Sequence, residues 1–287
     1  MIKHKICKIL LVILAIFLCV AFYELLGICV AYKKQPEVSN TTKKETKNGS
    51  WNECSENTER AVIIEKNPEA LLQRVRLIKN AKKEIILSTF AFQSDESGKL
   101  ILGALHDAAD RGVHIRLLVD GMESWIDMEG NPYFYGLSSH ENVEIKLYNK
   151  ANPLKPWKMM GRMHDKYLIA DGKRYILGGR NTYNYFLGDF PGHKNYDRDV
   201  LVVCDEPEKE NSVNQLLEYF ETIWEQEDSG YFHDNKKLAN RKSVKNAVLE
   251  LQNGYQKYFE ENKERICDTD YTDETFETEK IALVSNP

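Results

Sequence analysis

The sequence predicts an α/β domain, a β-sheet with helices packed on its faces, preceded by one transmembrane helix. Within residues 61–265, short runs of strand-forming residues alternate with stretches of helical spacing, and this alternation is typical of a sheet covered by helices. Residues 9–32 are apolar apart from Glu24, and about 20 such residues are enough for a helix to cross a bilayer.

The predicted elements follow from local patterning. Alternating or continuous apolar runs predict strands, whereas apolar residues three and four positions apart predict helices. Gly112 marks the end of a helix, and the pair Asp120-Gly121 marks a turn after a strand. The predicted strands are residues 61–64, 85–92, 113–119 and 143–147, and the predicted helices are residues 68–79, 98–111, 211–224 and 244–265.

Composition divides the chain into five segments. Residues 1–8 are a basic N-terminus, residues 9–32 are a retained transmembrane anchor, and residues 33–58 are polar and form a flexible linker. A secretory signal peptide is the alternative to the anchor, but its apolar region would be shorter and would end at a small-x-small cleavage site. Residues 59–267 form the folded domain, and residues 268–287 form an acidic linker and the start of a second repeat.

Charge bears on the location and the partners of the domain. Lysines lie on both sides of the apolar segment, so the positive-inside rule alone does not fix its orientation. A short basic N-terminus commonly stays inside, which favours a single-pass membrane protein with an extracytoplasmic domain. The net charge of −5 gives no support to a nucleic-acid partner, because proteins that bind nucleic acids usually have a basic face.

One stretch, residues 163–181, combines chemically active residue types with a predicted hairpin. It contains His164-x-Lys166 and, five residues after the lysine, Asp171. Strand formers on both sides of Asp171 predict two strands joined by a tight turn. Side chains two apart on a strand share a face. His164 and Lys166 are therefore predicted to point the same way, with Asn181 returning to the same end of the hairpin.

These residue types suit the cleavage of a phosphodiester. A neutral imidazole is a nucleophile, and an ammonium and an amide, here those of Lys166 and Asn181, stabilise charge on phosphate oxygens. Gly178 and Gly179 let the backbone approach the phosphate, and Asp199 is a candidate for holding the imidazole in one tautomer. At average residue usage, the whole pattern is expected by chance in roughly one chain in 10^5 of this length.

The motif in residues 163–181, His-x-Lys-x4-Asp-x6-Gly-Gly-x-Asn, resembles the HKD signature of the phospholipase D superfamily. In the usual form a serine takes the place of Gly179, so one hydroxyl is missing here. Residues 97–120 and 197–200 also resemble that superfamily, and the resemblance covers about residues 60–225. It implies a phospholipase D-like α-β-α sandwich with a mixed sheet. The anchored form is most similar to bacterial cardiolipin synthases and phospholipase D-like proteins.

The resemblance implies a role for each residue of the motif. His164 is implied as the nucleophile that forms a phosphohistidine, or else as the general acid that protonates the leaving group. Lys166 and Asn181 are implied to bind phosphate, and Asp171, counted with the catalytic motif, is implied to fix the hairpin. No metal or other cofactor is implied, and the sequence has no obvious His, Asp and Glu cluster for one.

The chemistry that the resemblance implies needs two histidines, and the chain contains one motif. In one explanation, a two-fold symmetric homodimer pairs two identical motifs. In the other, the chain is the N-terminal half of a longer protein with two motifs. Residues 279–287 support the second explanation, because their order of acid, base, apolar run and Asn-Pro echoes residues 59–68.

Three functions remain open from the sequence. The first is a membrane-anchored phospholipase D or cardiolipin synthase-like enzyme that acts on glycerophospholipids, with water or a lipid hydroxyl as the acceptor. Trp157, Met159 and Met160 precede the motif and either touch lipid or pack beneath it. The second is an exported homodimeric phosphodiesterase of the nuclease type, and the third is an inactive half-enzyme or a regulatory partner.

Overall fold

The computed structural model describes residues 2–33, 40, 43–44, 59–204, 211–233, 235–279 and 281–283. The N-terminal helix α1 (Ile2–Lys33) contains the predicted anchor. Its segment Lys5–Lys33 has the length and composition of a candidate membrane span. The predicted linker lies almost entirely outside the described residues.

The described residues after α1 form one nine-stranded sheet with helices on both faces. The strand order is β8-β4-β3-β2-β5-β6-β7-β1-β9. The strands are β1 (Glu59–Ile64), β2 (Glu84–Thr89), β3 (His114–Asp120), β4 (Val143–Tyr148), β5 (Lys166–Ala170), β6 (Arg174–Gly178), β7 (Asp199–Cys204), β8 (Ser229–Tyr231) and β9 (Phe276–Thr278). The helices are α2 (Asn67–Asn80), α3 (Glu96–Asp110), α4 (Gly121–Asp127), α5 (Pro132–Ser138), α6 (Ser212–Trp224), α7 (Lys242–Glu261) and α8 (Lys263–Cys267), with 3-10 turns at Pro156–Lys158 and Lys236–Asn240.

The sheet is mixed and both of its faces are covered. Strands β2, β3 and β4 pair in parallel, whereas β5, β6, β7 and β1 pair antiparallel. Alternate residues of β2 enter two different cores: Ile85 and Leu87 pack on the side of α2, α3 and α7, and Ile86 packs on the side of α6. The predicted α-β-α sandwich with a mixed sheet is therefore confirmed.

The sequence did not predict the short helix α4, because the pair Asp120-Gly121 at its start was interpreted as a turn. The Asp120 carboxylate accepts hydrogen bonds from the backbone N–H groups of Met122 (3.0 Å) and Glu123 (3.2 Å). An acidic N-cap of this kind satisfies the first free N–H groups of a helix. The pair Asp120-Gly121 therefore starts a helix where a turn was predicted.

The segment after residue 267 differs from the linker that its composition predicted. Tyr271 is 4% exposed, and the Arg76 guanidinium lies 3.9 Å from the centroid of its ring. Arg76 also pairs with Glu274 at 2.8 Å, and the chain then adds β9 to the sheet beside β1. Part of this acidic segment therefore packs on the domain, where its carboxylates neutralise a buried arginine. The proposed second repeat at residues 279–287 stays a prediction, and most of it lies outside the described residues.

Asp171 occupies the turn between β5 and β6 and ties this hairpin to β2. Its φ is +55° and that of Gly172 is +62°, a conformation that Asp and Gly tolerate better than most residues. The carboxylate accepts hydrogen bonds from the backbone N–H groups of Lys82 (2.9 Å), Lys83 (2.7 Å) and Glu84 (3.0 Å). These three residues lead into β2, so Asp171 fixes the start of that strand.

Replacing Asp171 by alanine should lower the free energy of unfolding by about 2–3 kcal/mol, because three N–H groups lose a charged acceptor and alanine tolerates positive φ less well. Asp171→Asn is the matched control: it keeps one acceptor oxygen, and we expect about half the loss. Urea unfolding of the full chain in detergent, followed by tryptophan fluorescence, measures both. Equal and negligible losses in the two variants would contradict the role given to the carboxylate.

Candidate active site

Three of the predicted site residues, His164, Lys166 and Asn181, come together where the central strands β2, β5 and β6 meet at one end of the sheet. Because β5 runs antiparallel to β2 and β6, its first residue lies beside the last residues of both neighbours. The register pairs Thr89 with Lys166 and Tyr167 with Leu177. His164 precedes β5 in a loop, so the strand periodicity from which a shared face with Lys166 was predicted does not extend to it. The loop exposes the imidazole while the Lys166 side chain is buried.

His164 is positioned by an aromatic neighbour that the sequence gave no reason to select. Its ring lies 4.7 Å from the ring of Phe90, between centroids, at an interplanar angle of 60°. Partial desolvation lowers the pKa of His164 below its usual value, and the positive charge of Lys166 lowers it further. Both effects favour the neutral imidazole, which is the form that acts as a nucleophile.

Lys166 contacts the backbone of His164 and the same aromatic ring. Its Nζ donates a hydrogen bond of 2.6 Å to the His164 carbonyl oxygen and lies 5.2 Å from the centroid of the Phe90 ring. Burial lowers the pKa of Lys166 to about 8, and the nearby carboxylates of Asp165 and Asp197 oppose this shift. A desolvated ammonium interacts more strongly with a phosphate oxygen than a fully hydrated one.

This pKa predicts an alkaline limit to activity. The charged form of Lys166 is present below about pH 8 and is lost as the pH rises through that value. The rate, as kcat/KM, should then fall about tenfold per pH unit. Lys166→Arg, whose guanidinium stays charged, should have a lower maximum but no such fall up to pH 10. Profiles of kcat/KM between pH 6 and 10 measure this, and identical profiles for the two proteins would overturn the assignment.

Asn181 reaches the same edge from the end of β6. Its side chain is buried, and its Oδ1 accepts a hydrogen bond of 3.2 Å from the Ala91 backbone N–H. This bond fixes the amide so that Oδ1 faces the backbone. In the part of the chain that the structure describes, the Nδ2 group has no hydrogen-bond acceptor. It is therefore available to donate a hydrogen bond to a bound group.

The two glycines make room for carboxylates. A β-carbon at Gly179 would overlap the carboxylate of Asp197, and one at Gly178 would overlap the carboxylate of Asp199. Asp197 thus occupies the space that the usual serine would need. Asp197 was not among the predicted site residues, although the alternating pair Asp197-x-Asp199 is visible in the sequence.

Asp199 lies beneath the site and does not reach the imidazole. Its side chain is fully buried, and Oδ2 pairs with Arg74 at 2.9 Å and with Arg180 at 3.2 Å. Within the described residues, no hydrogen bond joins it to His164. The expectation that Asp199 orients the imidazole is therefore wrong for the single chain, because two buried guanidinium groups hold the carboxylate.

Asp171, the third residue of the motif, is also separate from the site. It follows the opposite end of β5, five residues from Lys166, which corresponds to about 16 Å along a strand. Its hydrogen bonds to the start of β2 give it a structural position. The sequence grouped it with the catalytic residues because it belongs to the same motif.

Asp120, at the end of β3, positions the loop that carries His164. It is 1% exposed, and its Oδ2 accepts a hydrogen bond of 3.0 Å from the Met163 backbone N–H. Its carboxylate also pairs with Arg162 at 2.8 Å. The sequence signal was an aspartate at the end of a strand, but only the fold shows that it meets a loop 42 residues later.

Among the described residues, no group of three or more His, Cys, Asp or Glu side chains is arranged to hold a metal ion. The side chains that meet at the site are an imidazole, an ammonium and an amide group. An edge that holds a neutral imidazole beside a buried ammonium and a free amide donor suits nucleophilic attack on a phosphodiester.

Comparison with known proteins identifies the class to which this fold and site belong. Residues 74–224, more than half of the chain, match the family described as "Cardiolipin synthase, PLD-like domain". The chain therefore belongs to the phospholipase D superfamily. Phosphatidylserine synthase from Haemophilus influenzae Rd KW20 shares the fold, with a TM-score of 0.50 and 17% identity over 77% of this chain and 48% of that one.

Curated relatives extend well beyond the matched region. An uncharacterised protein of Helicobacter pylori strain J99 is 30% identical over 212 residues, which cover 69% of this chain and 39% of that protein. Cardiolipin synthase C of Escherichia coli K12 is 29% identical over 171 residues, which cover 55% of this chain and 34% of that enzyme. The match thus spans about two fifths or less of the length of these relatives.

Proposed function

We propose that the chain is a membrane-anchored phosphodiesterase or phosphatidyltransferase that acts on glycerophospholipids through a phosphohistidine at His164. The observation that carries this proposal is the assembly of an exposed neutral imidazole with the Lys166 ammonium and the Asn181 amide at one edge of the sheet. The candidate span in α1 supports a substrate within the membrane.

The reaction has two displacements at phosphorus. In the first, the imidazole of His164 forms a bond to phosphorus and the head-group alcohol leaves with a proton from a second histidine. Lys166 and Asn181 stabilise the charge on the non-bridging oxygens during this step. In the second, an acceptor oxygen replaces the imidazole and returns its proton to the second histidine. Water as the acceptor gives phosphatidic acid, and a hydroxyl of another phospholipid gives a transfer product.

The second histidine comes from another HKD motif, either in a second copy of this chain or in a further repeat. The open position of the His164 ring supports this arrangement, because it leaves one side of the imidazole free to face a partner. A symmetric pair would bring two identical motifs across one cleft. We place the domain outside the cytoplasm, following the short basic segment before α1.

The test uses the full chain in vesicles of phosphatidylglycerol and phosphatidylcholine, with products followed by mass spectrometry. Phosphatidic acid identifies hydrolysis, and cardiolipin with free glycerol identifies transfer between two phosphatidylglycerols. A folded protein that yields neither product contradicts a self-sufficient enzyme and favours a half-enzyme or a regulatory partner. Cleavage of DNA without lipid turnover would instead favour the nuclease alternative.

Mixtures of wild type and His164→Ala test whether two copies share one site. The two proteins are combined in detergent in equal amounts, allowed to exchange, and reconstituted together. If both histidines of a site come from this chain, only pairs of two wild-type copies are active, and the activity should fall to about a quarter. A fall to one half would show that each copy acts independently.

A further inference from the structure

The loop between β4 and the motif presents a group of apolar side chains to solvent. This loop, residues 150–161, contains Leu154, Trp157 and Met160, which are 78%, 46% and 54% exposed. The alternative that Trp157, Met159 and Met160 pack beneath the motif is therefore wrong for Trp157 and Met160, whereas Met159 is half-buried. Exposed apolar residues clustered in this way mark a surface that meets a partner or a membrane.

Helix α1 packs against this same loop. The Tyr23 hydroxyl donates a hydrogen bond of 2.9 Å to the Leu154 carbonyl oxygen, and a β-carbon at Gly27 would overlap the Pro156 ring. Gly27 is also buried, in a helix whose other apolar residues are mostly exposed. The absence of a side chain at Gly27 is what allows the loop to lie against the helix.

The contact lies within the apolar span and not beyond its end. The candidate span runs to Lys33, and Gly27 is six residues earlier, which corresponds to about 9 Å along a helix. Interfacial protein segments bury their apolar face about 5–10 Å into the boundary between head groups and acyl chains. A loop held at the level of Gly27 therefore reaches that depth once α1 crosses the bilayer.

We propose that the 150–161 loop is inserted into the lipid interface and holds the edge of the catalytic site at the membrane surface. The occupant of this surface is a bilayer containing anionic lipid, because the loop also carries Lys150 and Lys155. The third lysine of the loop, Lys158, pairs with Asp228 at 2.6 Å and is not counted here. Lysines beside apolar residues keep their charge among head groups while their neighbours enter the acyl region. The link to catalysis rests on the proposed function, but the insertion itself does not.

The loop is held in a defined shape. Asn149, at its start, has a φ of +50°, and its Nδ2 donates hydrogen bonds to the carbonyl oxygens of Lys158 (2.5 Å) and Gly161 (2.6 Å). These bonds close the base of the loop. Since Gly161 is three residues before His164, at most about 10 Å of chain separates the inserted segment from the imidazole.

Quenching of Trp157 by lipid tests the insertion without any need for turnover. The full chain and its Trp157→Phe variant are reconstituted in phosphatidylglycerol vesicles containing phosphatidylcholine with plain or brominated acyl chains. The difference between the two emission spectra reports Trp157 alone. We expect this difference to be blue-shifted and at least about twofold weaker with brominated lipid. The proposal would be overturned if the difference spectrum had the emission maximum of a tryptophan in water and brominated lipid left its intensity unchanged.

A matched pair of variants tests the consequence for catalysis. Leu154→Glu places a charge in the inserted loop, whereas Leu249→Glu changes a similarly exposed leucine on α7. Leu154→Glu should lower turnover of vesicle lipid about fivefold to tenfold, without changing turnover of a water-soluble short-chain phosphodiester. Leu249→Glu should change neither rate. Equal effects of the two variants would overturn the link between loop and site, and no turnover by the wild type would count against the proposed function alone.

Discussion

Replacing His164 by alanine should lower the rate of phosphodiester cleavage by at least about a thousandfold, because removal of a nucleophile leaves only the binding and charge stabilisation supplied by its neighbours. The fold should be unaffected. The imidazole is exposed in a loop, and its principal contact is the ring of Phe90. Initial rates with phosphatidylglycerol vesicles measure the loss. Thermal unfolding of the variant and of the wild type, both in detergent, verifies that the fold is unchanged.

A histidine outside the motif provides the control for this variant. His114 lies at the start of β3, at the opposite end of that strand from Asp120, and its ring pairs with Glu144 at 3.0 Å. His114→Ala should retain nearly full activity. If the two variants retain similar activity, His164 is not the nucleophile. A phosphorylated imidazole trapped at His164 by rapid acid quenching would establish the covalent step directly.

The sequence was informative wherever chemistry and local periodicity coincided. The hairpin around Asp171 and the alternation of strands and helices depend on contacts between neighbouring residues, and the structure contains both. The residues that complete the site depend on strand order instead. Phe90 meets His164 only because β2 pairs with β5, and no pattern within either segment indicates that pairing.

Charge was the least reliable guide to position. The acidic stretch after residue 267 was read as a linker, yet its Asp268 and Glu274 pair with Arg76. Asp199 was a candidate for holding the imidazole in one tautomer, yet it pairs with two arginines. A carboxylate pairs with the cationic side chain that the tertiary fold brings closest to it. The sequence alone does not show which cationic side chain that is.

A buried ion cluster of Asp199, Arg74 and Arg180 lies under the glycines of the site. Beyond its pairing with Asp199, the Arg180 side chain donates hydrogen bonds to Asn67 Oδ1 (3.1 Å) and to the carbonyl oxygens of Ile64 (3.0 Å) and Glu65 (2.7 Å). Burial lowers the pKa of Arg180, and the negative charge of Asp199 opposes that shift. The cluster therefore joins the residue before Asn181 to the end of β1 and the start of α2.

Replacing Asp199 by alanine should lower the free energy of unfolding by about 3–5 kcal/mol, because two guanidinium groups that are at most 5% exposed lose their counter-charge. The matched control is Arg198→Ala, which breaks the exposed pair of Arg198 with Glu65 and should cost about 0.5 kcal/mol or less. Urea unfolding of the full chain measures both. Equal losses would show that the cluster adds nothing beyond a surface pair. The expected difference would instead show that buried ion pairs hold the backbone that carries Asn181. Asp199 and Arg74, which form these pairs with Arg180, are distant from Asn181 in the sequence.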